Sequence, residues 1–144
     1  MFSKACEYGI KAAIFIAQDT MQQKRVSLKD IANAIDSPEA FTGKILQKLV
    51  KHDIITSMRG AKGGFEVNLA TLDQIKLKQI VYAIDGDALY TNCALGFSEC
   101  SSEKPCAMHF QFMDVRENLN NLLEHTTLEE LVLGVKDKLA FLKE

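Results

Sequence analysis

Ile10, Ala13, Ile14 and Ala17 recur at helical spacing between Ala5 and Ala17, so the chain is expected to open with an amphipathic helix. After the polar stretch Gln22-Gln23-Lys24-Arg25, Ser27 stands three residues before Asp30, the signature of a helix N-cap. Leu28, Ile31, Ala32 and Ile35 then form one apolar stripe. Asp36-Ser37-Pro38 breaks this second helix and starts a third, with Ser37 the expected cap and Pro38 the expected first helical residue. The third helix turns Phe41, Ile45, Leu46, Leu49 and Val50 inward and leaves Lys44, Gln47, Lys48 and Lys51 to solvent. Two helices across a tight break, the second with a basic outer face, form a helix-turn-helix pattern. The pattern next changes period. Ile54–Met58 and Phe65–Leu69 are β-favouring runs joined by the glycine-rich, basic turn Arg59-Gly60-Ala61-Lys62-Gly63-Gly64, which predicts a two-stranded wing.

Further on, Leu77, Ile80, Val81 and Ile84 predict another short helix ending at Asp85-Gly86-Asp87, followed by an irregular stretch from Ala88 to Ala107. A longer helix is expected from His109 or Phe110 to about His125, with Phe112, Val115, Leu119, Leu122 and Leu123 on one stripe and Phe110 and Met113 beside it. That is more apolar surface than a small winged domain covers alone, so this helix is expected to pair with a second subunit. Thr127-Leu128-Glu129-Glu130-Leu131 carries a cap and an acidic first turn, and the tail to Glu144 reads as a frayed or docked helix. The expected fold is mainly α: a winged helix-turn-helix with a two-stranded β wing (residues 1–70), a connecting helix and cysteine loop (71–108), and a long dimerisation helix with a tail (109–144).

Composition changes this picture in one respect. The chain has 144 residues, 47% hydrophobic and 25% charged, as expected of a single soluble domain. A formal net charge of -2 argues mildly against a polyanion partner, but residues 1–68 hold ten Lys or Arg against seven Asp or Glu, and residues 69–144 hold seven against twelve. Between Lys24 and Lys62 eight basic residues face four acidic ones, so one half suits nucleic acid while the other does not. In the wing, glycines permit close approach to a phosphate backbone, Arg59 is long and flat enough for a narrow minor groove, and Lys62 suits a phosphate. Lys44 and Lys48 suit phosphates as well, while Gln47 and Arg59 are the better candidates for base or groove-shape readout. No apolar run has the length of a membrane span, and Lys4, Glu7, Lys11 and Asp19 in the first 20 residues are unlike a signal peptide, so no membrane partner and a cytoplasmic location are expected.

Reducing surroundings make the four cysteines thiols or metal ligands rather than disulfides. Cys93, Cys100 and Cys106 share one loop, with His109 three residues beyond the last. Thiolate ligands select zinc, copper(I) or iron–sulfur clusters, and the paired C-x2-C knuckles of structural zinc are absent. Cluster, zinc and free thiol sensor all remain open from the residues alone. Cys6, set among apolar neighbours, reads as a buried inert thiol. There is no nucleophile elbow, no phosphate-binding glycine loop after a strand and no H-x-x-x-H or H-E pair, so an enzyme is not expected.

Ser27-Leu28-Lys29-Asp30-Ile31-Ala32, Leu49-Val50-Lys51, the wing Arg59-Gly60-Ala61-Lys62-Gly63-Gly64-Phe65, Val81-Tyr82-Ala83-Ile84-Asp85-Gly86 and the three-cysteine loop, in that order, resemble the Rrf2 (Rrf-two) family of bacterial winged-helix regulators. The resemblance runs from about Cys6 to Leu131. It implies a sequence-specific transcription regulator, a homodimer with crossing long helices on a roughly palindromic double-stranded operator, recognition helix in a major groove and wing in the adjoining minor groove. It also implies that Cys93, Cys100 and Cys106 bind an iron–sulfur cluster that modulates DNA affinity in response to cluster status, redox or nitric oxide. His109 matches the fourth ligand of members with a two-iron (2Fe-2S) cluster, and Glu7 matches a carboxylate that reaches the partner subunit's four-iron (4Fe-4S) cluster in others; the former is preferred because its spacing from Cys106 is local. Phe41-Thr42-Gly43-Lys44 departs from the Tyr-Leu-Glu-Gln run of many relatives, which removes a glutamate able to accept from cytosine and places a helix-weakening glycine in the reading helix. The alternative is a cluster-free regulator of the same fold whose cysteines sense oxidants or persulfides; a zinc-stabilised or cluster-carrying interaction protein is the rival from another class.

Overall fold

In the computed structural model, which describes residues 1–138 and 140–143, the chain forms α1 (Lys4–Met21), α2 (Leu28–Ile35), α3 (Glu39–Lys51), β1 (Thr56–Met58), β2 (Gly64–Glu66), α4 (Leu77–Asp85), α5 (Ala88–Thr91), α6 (His109–His125) and α7 (Leu128–Lys136). A single 3-10 turn at Leu69–Thr71 follows the wing. The predicted helix-turn-helix, wing and long helix are all present. The first helix extends past its predicted end to Met21, and α5 interrupts the stretch read as irregular. No helix among the described residues is long and apolar enough to cross a membrane.

α1 lies at the centre. Ser3 caps it by accepting the Cys6 N–H at 3.0 Å, and Cys6, Gly9, Ala12, Ala13, Ile14, Ile16 and Ala17 are all buried. Four of these seven are glycine or alanine, so neighbouring helices pack close to its backbone. At Gly9 a Cβ would overlap Cδ1 of Ile84 on α4. The core around α1 takes Ile31 and Ile35 from α2, Ile45, Leu46 and Leu49 from α3, Ile80 from α4, and Leu128 and Val132 from α7. A second cluster joins Cys6 to Leu77, Val81 and Leu123, fastening α1 to α4 and α6. The Ser3 backbone N–H also donates to Asp85 at the end of α4, at 3.1 Å.

Ser27 accepts the Asp30 N–H at 3.1 Å, the predicted cap of α2. Asp36 ends that helix in the left-handed region (φ 54°). The expected cap of α3 differs: Pro38 occupies the N-cap, and the helix starts at Glu39 without a side-chain cap. Ser37 instead lies 2.8 Å from the hydroxyl of Thr42, which is fully buried and also lies 2.8 Å from the Pro38 carbonyl oxygen. Phe41, expected inside, is 38% exposed and meets Tyr8 edge-on at 6.0 Å. Thr42 satisfies its own hydroxyl locally and takes the inward position one residue further along the helix.

β1 and β2 pair antiparallel in the register Thr56–Glu66, Ser57–Phe65 and Met58–Gly64. Ile54 and Ile55, read as strand, precede β1 and plug its base into the core. Val26 adds a bridge to Phe65, with N–H to oxygen distances of 3.2 and 2.8 Å. At the other end of the molecule, the Leu77 N–H donates to the Thr126 carbonyl and the Leu128 N–H to the Ile75 carbonyl, each at 2.8 Å. These two bonds pin the start of α4 to the turn between α6 and α7. The reciprocal Thr127 and Glu130 capping bonds, both 3.1 Å, start α7 as the sequence predicts.

Cys6 carries a measurable consequence of this packing. Burial, with the carboxylate of Asp85 nearby, pushes its thiol up to about 12. The folded state therefore keeps the proton to higher pH than the unfolded chain does, and the associated stability is present below about pH 9 and lost as pH rises toward 12. Denaturant unfolding between pH 8 and 11 is expected to show stability falling with a slope of up to about 1.4 kcal/mol per pH unit, and Cys6→Ala is expected to flatten that slope.

Candidate DNA-reading surface and cysteine site

The candidate DNA-reading residues of the basic half are all exposed: Lys44, Gln47, Lys48 and Lys51 on α3, as the sequence predicts, and Arg59 and Lys62 on the wing. Gly60 adopts φ 103° in the wing turn. At Gly63 a Cβ would overlap the Met58 carbonyl oxygen and crowd the Arg59 and Gly60 backbone, so the turn closes only over glycine. Gly43 is under no such demand, because a Cβ there would make ordinary contact with Leu28. The wing is also braced from below. Arg25 reaches Glu66 through Nε (3.1 Å) and Nη2 (3.4 Å), and its Nη1 donates to the Lys62 carbonyl at 3.3 Å.

In the acidic half, the cysteine loop folds back so that one of its thiols meets His109. Cys93 is buried, and its carbonyl accepts the Gly96 N–H at 3.0 Å. The Phe97 and Leu95 N–H groups chiefly hold the Cys93 thiol below its ordinary value, with Cys106 and Gly96 adding to the effect. Gly96, at φ 76°, permits the tight turn closed by its bond to the Cys93 carbonyl. Cys100 Sγ lies 3.4 Å from His109 Nδ1. His109 is 6% exposed at the start of α6, and its N–H donates to the Cys106 carbonyl at 3.0 Å, so the helix start holds the end of the loop. Among the described residues no three His, Cys, Asp or Glu side chains converge closely enough to hold a single metal ion. Glu7 lies apart from the three loop cysteines and His109, ion-paired with Lys4 at 2.9 Å, and that pairing holds its carboxyl below the usual range.

The sequence profile of the Rrf2 family, described as iron-dependent transcriptional regulators, matches residues 2–134. The chain belongs to the Rrf2 family. The HTH-type transcriptional regulator IscR of Vibrio campbellii is 26% identical over 136 residues, spanning 91% of this chain and 79% of that protein. Among solved structures, CymR, the global cysteine regulator of B. subtilis, superposes with a TM-score of 0.75 at 23% identity, covering 92% of this chain and 95% of CymR. IscR of T. potens does so with the same score at 19% identity, covering 98% and 92%. This Rrf2 protein is a DNA-binding transcription regulator and not an enzyme.

Sequence reasoning missed two arginines of the Rrf2 chain. Arg116 Nη1 lies 2.6 Å from Cys100 Sγ and donates to the Asn92 carbonyl at 3.1 Å, tying the loop to α5. Its signal was present: Arg116 follows His109 by seven residues, two helical turns, and so shares its face. Arg25 had none, since its partner Glu66 is 41 residues away. The wing geometry makes Gly63→Ala diagnostic. Opening the turn is expected to weaken specific DNA binding at least roughly tenfold in a mobility shift, while the thermal midpoint, set by the core around α1, moves little.

Proposed function

We propose that this chain acts as a homodimeric, sequence-specific transcription regulator whose affinity for a roughly palindromic operator is set by an iron–sulfur cluster held by Cys93, Cys100, Cys106 and His109. The donor chemistry of the loop carries the reading. Cys100 Sγ lies 3.4 Å from His109 Nδ1, and Cys93 and Cys106 come from the same loop, so three sulfurs and an imidazole form a soft donor set that would hold an iron–sulfur cluster once the loop closes on it. N–H groups directed at Cys93 favour its thiolate, the form that binds iron. Bound there, a cluster supplies a redox-labile crosslink among the four donors. His109 is favoured over Glu7 as the fourth ligand because it already touches Cys100.

The dimer reading rests on α6. Its predicted single stripe divides: Leu123 is buried and Phe112 and Leu119 half-buried, whereas Val115 (52%) and Leu122 (53%) are exposed. Met108, Val115 and Leu122, seven residues apart, line an unpartnered seam of the kind that packs against a second helix. Dimer symmetry then places two α3 helices toward successive major grooves, with Lys44, Lys48 and Lys62 on phosphates and Gln47 and Arg59 reading base edges or groove width. The loop from Cys93 to Cys106 lies between α5 and α6, so its state biases how the two reading heads are set.

A second reading, cysteine-based sensing without a cluster, is favoured by the contact of Cys100 Sγ with the Arg116 guanidinium, which sets a cation directly beside a part-buried thiol. Metal content separates the two. Anaerobic isolation is expected to yield a brown protein with thiolate-to-iron absorption, lost in Cys93→Ala, Cys100→Ala and Cys106→Ala; a colourless protein without iron and sulfide after reconstitution refutes the cluster. On DNA, Lys44→Ala and Lys48→Ala are each expected to lower the salt slope of binding by about 1 without changing sequence preference, whereas Arg59→Ala relaxes it.

A further inference from the structure

Among the described residues, one buried side-chain polar atom lacks a hydrogen-bond partner: Oδ1 of Asn120, on α6. Native proteins keep few such atoms, and each asks for an explanation. Asn120 lines a cleft of about 510 Å³ together with Lys78, Tyr90, Cys100, Arg116 and Glu117, a volume within the range of small-ligand sites.

The polar groups around this cleft divide by sign. Arg116 uses Nη1 on Cys100 and Asn92, while its Nε and Nη2 make no hydrogen bond among the described residues. Two parallel N–H groups on one guanidinium edge match a carboxylate in a bidentate pair. Lys78 adds a second cation, held in place by Glu124 at 2.8 Å and by the Tyr90 ring at 5.1 Å. The orphaned Oδ1 of Asn120 and the carboxylate of Glu117 supply acceptors. Cations and acceptors in one cleft complement a carboxylate and an ammonium on the same small molecule. An inorganic anion would leave Asn120 unmet and face Glu117, and a neutral ligand would leave the Arg116 fork unmet.

Lys78 and Tyr90 also border a second cleft, about 460 Å³, with His52 and Tyr82. His52 is the C-cap of α3, the reading helix, and packs edge-on against Tyr82 at 6.1 Å. The two clefts thus extend from the cysteine loop to the end of α3.

We propose that this cleft binds a free α-amino acid with an apolar or aromatic side chain. Its carboxylate sits on Arg116 and Lys78, its ammonium on Asn120 Oδ1 and Glu117, and its side chain runs along Tyr90 toward Tyr82 and His52. This effector input shares a wall, Cys100, with the proposed cluster site, but its ligand contacts are argued from other side chains and its binding test needs neither cluster nor DNA. The occupant joins α4, α5 and α6 at one point and abuts the end of the reading helix.

Calorimetric titration of the full-length protein with each of the common L-amino acids, and with inorganic phosphate as the anion control, tests the proposal. At least one apolar or aromatic amino acid is expected to bind with Kd below about 1 mM, and phosphate is not. Asn120→Leu, which removes the orphaned acceptor at similar volume, is expected to weaken binding roughly tenfold or more without lowering the thermal midpoint. Arg116→Lys, which keeps the charge and loses the fork, is expected to weaken it likewise. No binding by any amino acid, binding that survives Asn120→Leu, or phosphate binding as tightly overturns the site. Mobility shifts on the same samples report DNA binding separately.

Discussion

The close approach of other helices to α1 is the constraint from which the rest of the molecule follows. Gly9, Ala12, Ala13 and Ala17 keep its surface low enough for α2, α3, α4 and α7 to contact it, and almost every buried side chain of the reading head touches it or touches a residue that does. A bulkier residue at Gly9 must displace Ile84 and with it the seat of α4. The same helix carries Cys6 into the smaller cluster with Leu77, Val81 and Leu123. One segment therefore anchors both the basic face of the molecule and the helices that frame the cysteine loop.

Much of this was legible in the sequence because local rules and burial agree. Ser27 with Asp30, the left-handed Asp36, Gly63 of the wing turn and the Thr127 capping box each act within five residues, where sequence spacing is also spatial spacing. What was misread turns on competition that spacing does not reveal. Ser37 fits a cap but is taken by the Thr42 hydroxyl, and Thr42 rather than Phe41 fills the inward position. Apolar spacing reads α6 as one stripe, although seven-residue spacing sends Val115 and Leu122 to one side and Leu123, one residue and about 100° further round, turns to another. The cysteines and His109 were legible as a donor set, but the contact of Cys100 with His109 and the part of Arg116 depend on how a loop of irregular backbone folds back on α6.

The division of charge has a structural counterpart. The basic residues from Lys44 to Lys62 lie on α3 and the wing, where nothing from the acidic half covers them. Arg25 and Glu66 form an ion pair at the margin of that face, about one-third exposed, so its contribution to stability is small. Its value is geometric: it joins the segment after α1 to β2 and, through the Lys62 carbonyl, to the wing turn.

The two backbone bonds between Leu77 and Thr126 and between Leu128 and Ile75 act on one end of α6 only. A helix of 17 residues spans about 25 Å, and its far end, at His109, is held by the cysteine loop instead of by the core. α6 is thus a lever with its pivot at the C-terminus and its handle at the thiols. A tilt of about 10° about that pivot moves the handle by roughly 4 Å. The hold of the loop on His109 and Arg116 therefore sets where the exposed Met108 and Val115 stand relative to the core around α1.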